Sequence, residues 1–244
     1  MKLLYYLAAI GMPHLGKKLK ILSHNLLYIH SNLNHSFSIA INCYSNEDEV
    51  YRFIKRFKFL DKVYFHYKHD SVLTELWFTN PNTGKFMDYD EILFILDDVS
   101  IDRLNISFLR DIRTKYGIDL ISPSITGATH SHMASVNSHE IAITNCLEVY
   151  CILMTPRSFR KYLTINSAEN KWLWGVDHLF GHFGIKTAIY RGMSALHMIP
   201  AAHNCSGEAE RLMDRYLNNN GFTSLEDVKK KYPVIKEIII ISTC

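Results

Sequence analysis

The sequence predicts an α/β protein built on a mixed, mostly parallel β-sheet that is flanked by helices. Strand-like apolar runs alternate with helix-like segments through the first half of the chain, which is typical of parallel sheets with crossover helices. The run over residues 92–96 contains no charge and no helix breaker, as in a strand that is buried on both faces. No repeat and no Pro/Gly/Ser-rich linker divides the 244 residues, so a single domain is favoured.

The first half contains the clearest elements. Lys17–His30 repeats its apolar residues at helical spacing, and residues 45–48 have the form of a capping box that opens a second helix. Asp102 is predicted to cap a helix over Arg103–Tyr116. The predicted strands are Leu3–Ile10, Phe37–Cys43, Val63–Tyr67, Ile92–Leu96 and Asp119–Ser122.

The second half is less regular, because residues 122–140 are rich in Ser, Thr, His and Gly. Ile141–Met154 is predicted to hold strands of a mixed sheet, and residues 206–244 to form a helical appendage that packs on the outside of the same domain. The other predicted elements are a helix at Arg157–Leu163, a short helix from Val176, a strand over Thr187–Ile199 and an edge strand at Ile238–Ile241.

Composition excludes several classes of protein. The net charge of +3 and the scattered lysines do not form a nucleic-acid-binding face. The cysteines are odd in number and include no Cys-x-x-Cys pair, so buried reduced thiols are expected rather than a disulfide framework or a zinc knuckle. They are Cys43, Cys146, Cys151, Cys205 and Cys244.

No segment approaches the roughly 20 apolar residues of a transmembrane helix. Residues 1–11 are predicted to be a first core strand rather than a signal peptide, because a single lysine precedes a short apolar run. A cytoplasmic location is therefore expected. The richness in Ile, Lys, Asn and Tyr is compatible with an AT-rich genome, such as that of a large DNA virus.

Two carboxylates, Asp97 and Asp98, directly follow the buried run. In parallel α/β sheets, ligands bind beyond the carboxyl ends of the strands. Carboxylate oxygens suit Mg²⁺ or Mn²⁺, the usual partners of phosphate-bearing substrates. This position favours a metal site, and the competing interpretation is an acidic pair that turns the chain after a core strand.

Five short motifs follow one another along the chain: Asp97-Asp98, Gly117–Pro123, Cys146–Tyr150, Trp174–Asp177 and Leu196–Pro200. In this order the chain resembles nucleotide-sugar glycosyltransferases of the GT-A fold. More narrowly, it is similar to a little-characterised GT-A-like family with Asp-x-Asp, Trp-Gly-x-Asp and His-x-x-Pro motifs. The resemblance covers about residues 3–200. It implies a GT-A-like, Rossmann-like domain over residues 1–205.

The resemblance also implies an activity, which is metal-dependent transfer of a hexosyl or pentosyl group from a UDP- or GDP-type sugar donor. The acceptor would be a hydroxyl of a glycan or glycoprotein. In such enzymes the last acid of Asp-x-Asp binds Mn²⁺ or Mg²⁺, which corresponds to Asp98. Asp97 would face the donor ribose and is also a candidate metal ligand, and Leu96 departs from the motif by replacing its first acid. His197 is the implied second metal ligand, against the alternative of a hydrogen-bonded core histidine.

An inverting enzyme needs a general base that takes the proton from the acceptor hydroxyl. Asp177, which follows Gly175 and begins a predicted helix, is our candidate for this base, and its competing role is a helix cap. Glu148, an acid among the apolar residues of a predicted strand, is the second candidate. A retaining enzyme would not need this base.

Donor contacts are expected from small residues at the end of the first strand, an aromatic residue after the second and one arginine: Ala8, Ala9, Gly11, Tyr44 and Arg191. For Arg191 the competing interpretation is a surface salt bridge. Trp172 and Trp174 are predicted to form an apolar platform for the acceptor sugar, although tryptophans in such loops are as often packing anchors.

The remaining histidines do not predict a second metal site. His178 and His182 have helical i, i+4 spacing, but the zincin glutamate is absent. His130, His132 and His139 lie in a polar loop that is expected to be a lid.

Two other functions stay open. A non-catalytic sugar- or nucleotide-binding protein could have the same fold, and Leu96 is the residue that favours it. A haloacid-dehalogenase-type phosphatase also places aspartates after a strand, but Asp97-Asp98-Val99 lacks the second acid at the required spacing.

Overall fold

A computed structural model describes residues 1–33, 36–134, 138–199 and 206–241 of the chain. Its strands form one mixed sheet with helices packed against it, which confirms the predicted α/β class. The strands are β1 Leu3–Ile10, β2 Ser38–Cys43, β3 Val63–Tyr67, β4 Glu91–Ile95, β5 Val99–Ser100, β6 Leu120–Thr126, β7 Glu140–Thr144, β8 Cys151–Met154, β9 Thr187–His197 and β10 Ile235–Ile240.

Helices connect most of these strands. The α-helices are α1 Leu15–Asn32, α2 Glu47–Ile54, α3 Leu73–Thr79, α4 Ile106–Lys115, α5 Pro156–Ile165, α6 Ser206–Asn219 and α7 Leu225–Lys231. Short 3-10 helices lie at Thr83–Asp88, Ser131–Met133 and Val176–His178. No helix among the described residues has both the length and the apolar character needed to span a membrane.

The sheet has a parallel half and a largely antiparallel half. The first four strands are parallel in the order β3-β2-β1-β4, and Tyr6 of β1 lies opposite Ala40 of β2 and Phe94 of β4. Beyond β4 the order is β8-β6-β9-β7-β10, in which β6 and β9 are parallel and the other neighbours are antiparallel. β10 at the edge confirms the predicted edge strand. The short β5 pairs with β9 outside this order.

β4 is buried along its whole length, as the uncharged run over residues 92–96 predicts. Residues 92–95 have no exposed surface. The ring of Phe94 stacks on Tyr6 with centroids 5.5 Å apart, and Trp77 of α3 packs edge-on against it. Because both faces of β4 are covered, its position is fixed, and the chain that follows it emerges at a defined point of the sheet edge.

Two predicted helix starts are wrong. α2 begins after Asn46, which adopts a left-handed conformation with φ 57° and makes no side-chain cap, so Ser45 does not open a capping box. α4 begins after Asn105, whose side-chain oxygen accepts a hydrogen bond from the Phe108 amide at 3.0 Å. It starts later than a helix capped by Asp102 because residues 101–104 form a turn that follows β5.

Cys43, Cys146 and Cys151 are buried free thiols, as expected from the cysteine pattern. Cys205 and Cys244 lie outside the described residues.

Candidate active site

A cavity of about 620 Å³ lies where the chain leaves β4 and β6 and reaches the end of β9. The cavity wall contains both polar and apolar side chains, among them carboxylates, histidines and aromatic rings. The predicted site residues that line it are Asp98, Glu148, Trp172, Trp174, Asp177 and His197. These six residues come from four separate stretches of sequence and meet in one cavity.

Backbone pairing brings Asp98 and His197 together although they are 99 positions apart. β5 begins directly after Asp98, and its Val99 lies opposite His197 in the antiparallel pairing with β9. The Met198 amide donates to the Asp98 carbonyl at 2.8 Å. A two-residue strand thus holds both side chains at the same point of the cavity wall.

Asn25 of α1 supports this strand from behind. Its buried side-chain amide donates to the Val99 carbonyl at 2.8 Å, and its side-chain oxygen accepts from the Ile101 amide at 3.1 Å. These bonds satisfy backbone groups that β5 leaves unpaired on that side. The helical pattern of α1 predicts Asn25 on a helix, but nothing in the pattern indicates this contact.

The Asp98 and His197 side chains form a close pair. The Asp98 Oδ2 and His197 Nε2 atoms are 3.0 Å apart, and the hydrogen bond to Asp98 raises the pKa of His197. His197 Nδ1 donates to the Gly127 carbonyl at 3.1 Å. Gly127 has φ +84°, and a Cβ there would lie 3.2 Å from the His197 carbonyl oxygen, so glycine permits this close approach.

This pair fits a divalent cation. Asp98 Oδ1 is buried and has no hydrogen-bond partner among the described residues. The bond from His197 Nδ1 to a carbonyl leaves Nε2 to face Asp98, which is how a metal-binding imidazole is usually oriented. Adjacent ligand atoms in an octahedral Mg²⁺ site lie about 2.9 Å apart, from metal–oxygen distances of about 2.05 Å. The 3.0 Å between Nε2 and Oδ2 is therefore compatible with shared coordination.

Asp97 has a different environment from its neighbour. Its Oδ2 atom lies 2.9 Å from Lys18 Nζ in a largely buried ion pair. Burial raises the pKa of Asp97 to about 7, although Lys18 opposes that rise. Lys18 Nζ also donates to the Gly11 carbonyl at 3.1 Å and to the Tyr44 hydroxyl at 3.2 Å. The Asp97 side chain therefore lies with these donor-site candidates and does not line the cavity.

A second group of titratable side chains surrounds Asp177 in the cavity. Its Oδ2 atom lies 3.6 Å from His130 Nε2 and 3.7 Å from His178 Nε2. The His130 amide donates to Glu148 Oε2 at 3.2 Å. His130 therefore contacts both candidate bases, Glu148 through its backbone amide and Asp177 through its ring. The Asp177 carboxylate raises the pKa of His130, whereas burial raises the pKa of Glu148.

Cys146 adds a thiol to this group, with its Sγ atom 3.7 Å from His178 Nε2. The potential ligand atoms of His130, Cys146, Asp177 and His178 all lie within 4.8 Å of one another. Burial raises the pKa of Cys146 well above its usual range and lowers that of His178. The sequence did not predict this cluster, because its members come from three segments and none of the histidine spacings singles them out.

No protein-family model matches the chain, and no curated protein matches it. Several solved structures do match the chain. Over 96% of this chain, the structure of GalNAc-T7 with UDP, GalNAc and Mn²⁺ superposes with a TM-score of 0.59 at 9% identity. TarS of S. aureus superposes over 93% with a TM-score of 0.57 at 10% identity, and a TarS structure of residues 1–349 with 0.58 at 11%. Both proteins are glycosyltransferases.

The chain has a GT-A-like fold. It spans 58% of the GalNAc-T7 chain and 41% of the TarS chain. The expected GT-A resemblance is thus confirmed for the fold, while these low identities leave the activity to be argued from the site itself.

In this GT-A-like fold the donor-site candidates lie beside β1 and β2. The Ala8 carbonyl accepts from the Trp77 indole at 2.9 Å. A Cβ on Gly11 would lie 2.6 Å from the Tyr44 ring, so this glycine is needed for ring packing. Ala9, the remaining small residue of this group, is partly buried in β1. Arg191 lies apart from them and contacts Glu140 of β7, with Nη1 and Oε2 3.3 Å apart.

The C-terminal helices form part of the cavity wall, which differs from the expected packing outside the sheet. Glu210 and Met213 of α6 and Leu225 of α7 line the cavity beside the two tryptophans. A Cβ on Gly175 would lie 2.9 Å from Met213 Cγ, so Gly175 allows close approach of α6. Trp172 is 37% exposed at the cavity rim.

Sequence reasoning also missed Tyr150 and Thr129. The Tyr150 ring lies 4.7 Å from the His197 ring, between centroids, and its hydroxyl is 3.0 Å from Thr129 Oγ1. Of the histidines expected in a lid, His132 donates to the Cys146 carbonyl at 3.2 Å and His139 contacts the Tyr190 hydroxyl. His182 packs against Phe222 instead of pairing with His178.

Proposed function

We propose that this protein is a metal-dependent glycosyltransferase that moves a sugar from a nucleoside-diphosphate-sugar donor, of UDP or GDP type, to an acceptor hydroxyl of a glycan or glycoprotein. One observation carries the proposal. The cavity combines a partly buried Asp98–His197 pair that fits a cation with a separate pair of acids, Asp177 and Glu148.

Asp98 and His197 would hold Mn²⁺ or Mg²⁺. The structure of GalNAc-T7 contains Mn²⁺ with UDP, and the same combination of carboxylate and imidazole ligands suits Mn²⁺ here. When bound, the cation supplies charge stabilisation for a diphosphate leaving group. Asp97 would lie near the donor ribose, and Lys18 would keep its carboxylate oriented.

Asp177 would act as the general base of an inverting reaction. As the acceptor oxygen attacks the anomeric carbon, the acceptor proton passes to the Asp177 carboxylate, and the bond from the anomeric carbon to the phosphate oxygen breaks. His130 and His178 would orient Asp177 through its Oδ2 atom. Glu148, held by the His130 amide, would bind an acceptor hydroxyl or replace Asp177 as the base.

The acceptor would enter at the rim formed by Trp172 and Trp174. Both line the cavity together with Met213 of α6. Sugar rings stack on apolar walls of this kind. Because the C-terminal helices complete this wall, they would take part in acceptor selection.

The proposal is tested by incubating the protein with UDP- and GDP-sugars and Mn²⁺ and measuring release of nucleoside diphosphate. We expect release with one donor class, abolition by a chelator, and a loss of about 100-fold or more in Asp177→Asn. Glu237→Gln on the exposed face of β10 is the matched control and should retain full activity. Saturable Mn²⁺-dependent nucleotide binding without turnover of any donor would favour the non-catalytic sugar- or nucleotide-binding alternative.

A further inference from the structure

The cluster of His130, Cys146, Asp177 and His178 is separate from the proposed Mn²⁺ ligands. Its potential ligand atoms include one sulfur, two imidazole nitrogens and one carboxylate oxygen. Thiolate and imidazole favour Zn²⁺, Co²⁺ or Cu ions over Mn²⁺ and Mg²⁺, which prefer oxygen ligands. The two sites in this cavity therefore differ in the metals that they select.

Three of the separations in the cluster are close to those of a tetrahedral site, and all the potential ligand atoms lie within 4.8 Å of one another. Zn–S bonds of about 2.3 Å and Zn–N bonds of about 2.05 Å place neighbouring ligand atoms roughly 3.3–3.6 Å apart. The recorded separations are 3.7 Å from Cys146 Sγ to His178 Nε2, 3.6 Å from His130 Nε2 to Asp177 Oδ2, and 3.7 Å from His178 Nε2 to Asp177 Oδ2. Contraction by a few tenths of an ångström would bring these three pairs to the spacing of bound ligands, and side-chain rotation of His130 and Cys146 would close the remaining separations, which are at most 4.8 Å.

The backbone around the cluster is already fixed. The Cys146 amide donates to Thr144 Oγ1 at 3.0 Å, and the Leu147 amide donates to the Asp177 carbonyl at 3.1 Å. The second bond ties the cysteine segment directly to the 3-10 helix that carries Asp177 and His178. His132 donates to the Cys146 carbonyl and thus holds the same loop from the other side. Such support is usual around metal ligands.

We propose that His130, Cys146, Asp177 and His178 bind one Zn²⁺ per chain, and that Zn²⁺ bound there inhibits the transferase. Binding would release the thiol proton of Cys146 to solvent. All four coordination positions would be filled by protein, as in closed zinc sites. Zinc binding does not depend on the proposed function. Inhibition does, because a metal-bound Asp177 carboxylate cannot take the acceptor proton.

Binding is tested on the full chain without any donor. Zn²⁺ is titrated against a chromophoric chelator, and Co²⁺ is used as a spectroscopic probe, since thiolate coordination adds a charge-transfer absorption. We expect one tight site in the wild type, with this absorption, and at least about 100-fold weaker binding in Cys146→Ser and His178→Gln, because each removes a direct ligand. Asp98→Asn should retain the zinc site.

Matched controls remove the other thiols one at a time. Cys43→Ser and Cys151→Ser remove thiols that are buried like Cys146, and Cys205→Ser and Cys244→Ser remove the remaining two. All four should keep the absorption. A wild type that binds Co²⁺ without any thiolate absorption would overturn the site, as would full binding by His178→Gln. The spectrum of Co²⁺ bound to the wild type therefore tests the zinc site even if a variant fails to fold.

Inhibition is measured separately as donor turnover at saturating Mn²⁺ with increasing Zn²⁺. The wild type should lose at least about 10-fold in turnover, whereas Cys146→Ser should keep its activity at the same Zn²⁺ concentration. Zinc binding without inhibition would remove the regulatory role and leave the metal site. Absence of turnover in every condition would contradict the proposed function and not the zinc site.

Discussion

Carboxylates lie at both ends of β4, and they differ in how their charge is compensated. At the first residue, Glu91 is 3% exposed and forms an ion pair with Arg113 of α4, with Oε1 and Nη2 2.6 Å apart. Past the last residue, Asp97 pairs with Lys18, whereas Asp98 faces a histidine and a cavity. No Lys or Arg of the described residues forms an ion pair with Asp98, so this carboxylate is available for a cation.

The comparison separates charges that hold the fold from charges that bind ligands. Arg113 neutralises the charge of Glu91 within the protein, so the carboxylate at the start of β4 has its counter-charge inside the fold. A buried carboxylate oxygen usually has a hydrogen-bond partner, and both Glu91 Oε2 and Asp98 Oδ1 lack one among the described residues. Asp98 differs in that it faces a cavity and a histidine instead of an arginine. A ligand from outside the chain would meet this requirement.

Breaking the pair at the first end should have the largest effect. Arg113→Met leaves Glu91 buried without its counter-charge, and we expect the free energy of unfolding to fall by about 3–5 kcal/mol. The double variant Arg113→Met/Glu91→Gln should recover most of this loss. Urea unfolding measures both. A loss below about 1 kcal/mol in the single variant would show that the pair does not hold this end of the strand.

Neutralising Asp98, beyond the last residue of β4, should reduce donor turnover and leave the stability of the fold nearly unchanged. Asp98→Asn preserves the size of the side chain and removes the charge that would bind the metal, so we expect donor turnover to fall by about 100- to 1000-fold, or roughly 2.7–4 kcal/mol of barrier. Its thermal unfolding should stay close to that of the wild type. Steady-state kinetics and a melting curve together separate this result from that of Arg113→Met.

Asn25, which lies behind β5, should affect both the stability of the fold and the binding of the metal. Asn25→Ala leaves the Val99 carbonyl and the Ile101 amide without partners, which should reduce the free energy of unfolding by roughly 2–4 kcal/mol. Because β5 fixes Asp98 beside His197, Mn²⁺ affinity should fall as well. Asn32→Ala, at the exposed end of α1, is the control. Unchanged Mn²⁺ affinity in folded Asn25→Ala protein would contradict a positioning role.

The smallest expected effect is at the donor side. In Gly11→Ala the new Cβ would lie 2.5 Å from Ser45 Oγ and 2.6 Å from the Tyr44 ring, so overpacking should cost about 1–3 kcal/mol. Displacement of Tyr44 should raise the KM for the donor several-fold. Gly16→Ala in α1, which has no atom within 4 Å of the new Cβ, should be neutral or stabilising. Equal KM values in both variants would argue against donor binding beside Tyr44.

The sequence predicted the parallel half well because its signals are local. Apolar runs such as residues 92–96 need no partner to be recognised, and the acids that follow β4 lie at the sheet edge as expected. Helix starts were less predictable, because Asn46 and Asn105 compete with other short polar residues nearby. The edge strand β10 followed from its apolar pattern alone.

The candidate site was predictable in part. The position after a buried strand indicates Asp98, and the family resemblance adds Asp177 and His197. The structure brings all three to one cavity. The group of His130 and Cys146 around Asp177 could not be predicted, because it depends on how a loop after β6 meets the segment after β7. Nor does the amphipathic pattern of α6 indicate that Met213 packs against Gly175.

Binding of Mn²⁺ with UDP or GDP tests the central claim most directly. Melting temperatures of the wild type, Asp98→Asn and Asp97→Asn would be compared with each nucleotide, with and without Mn²⁺. A ligand at 100 times its dissociation constant should add about 2.7 kcal/mol of stability. Our account predicts a stabilisation of the wild type that requires Mn²⁺, is lost in Asp98→Asn and is retained in part in Asp97→Asn. Equal stabilisation of the wild type and Asp98→Asn would contradict it.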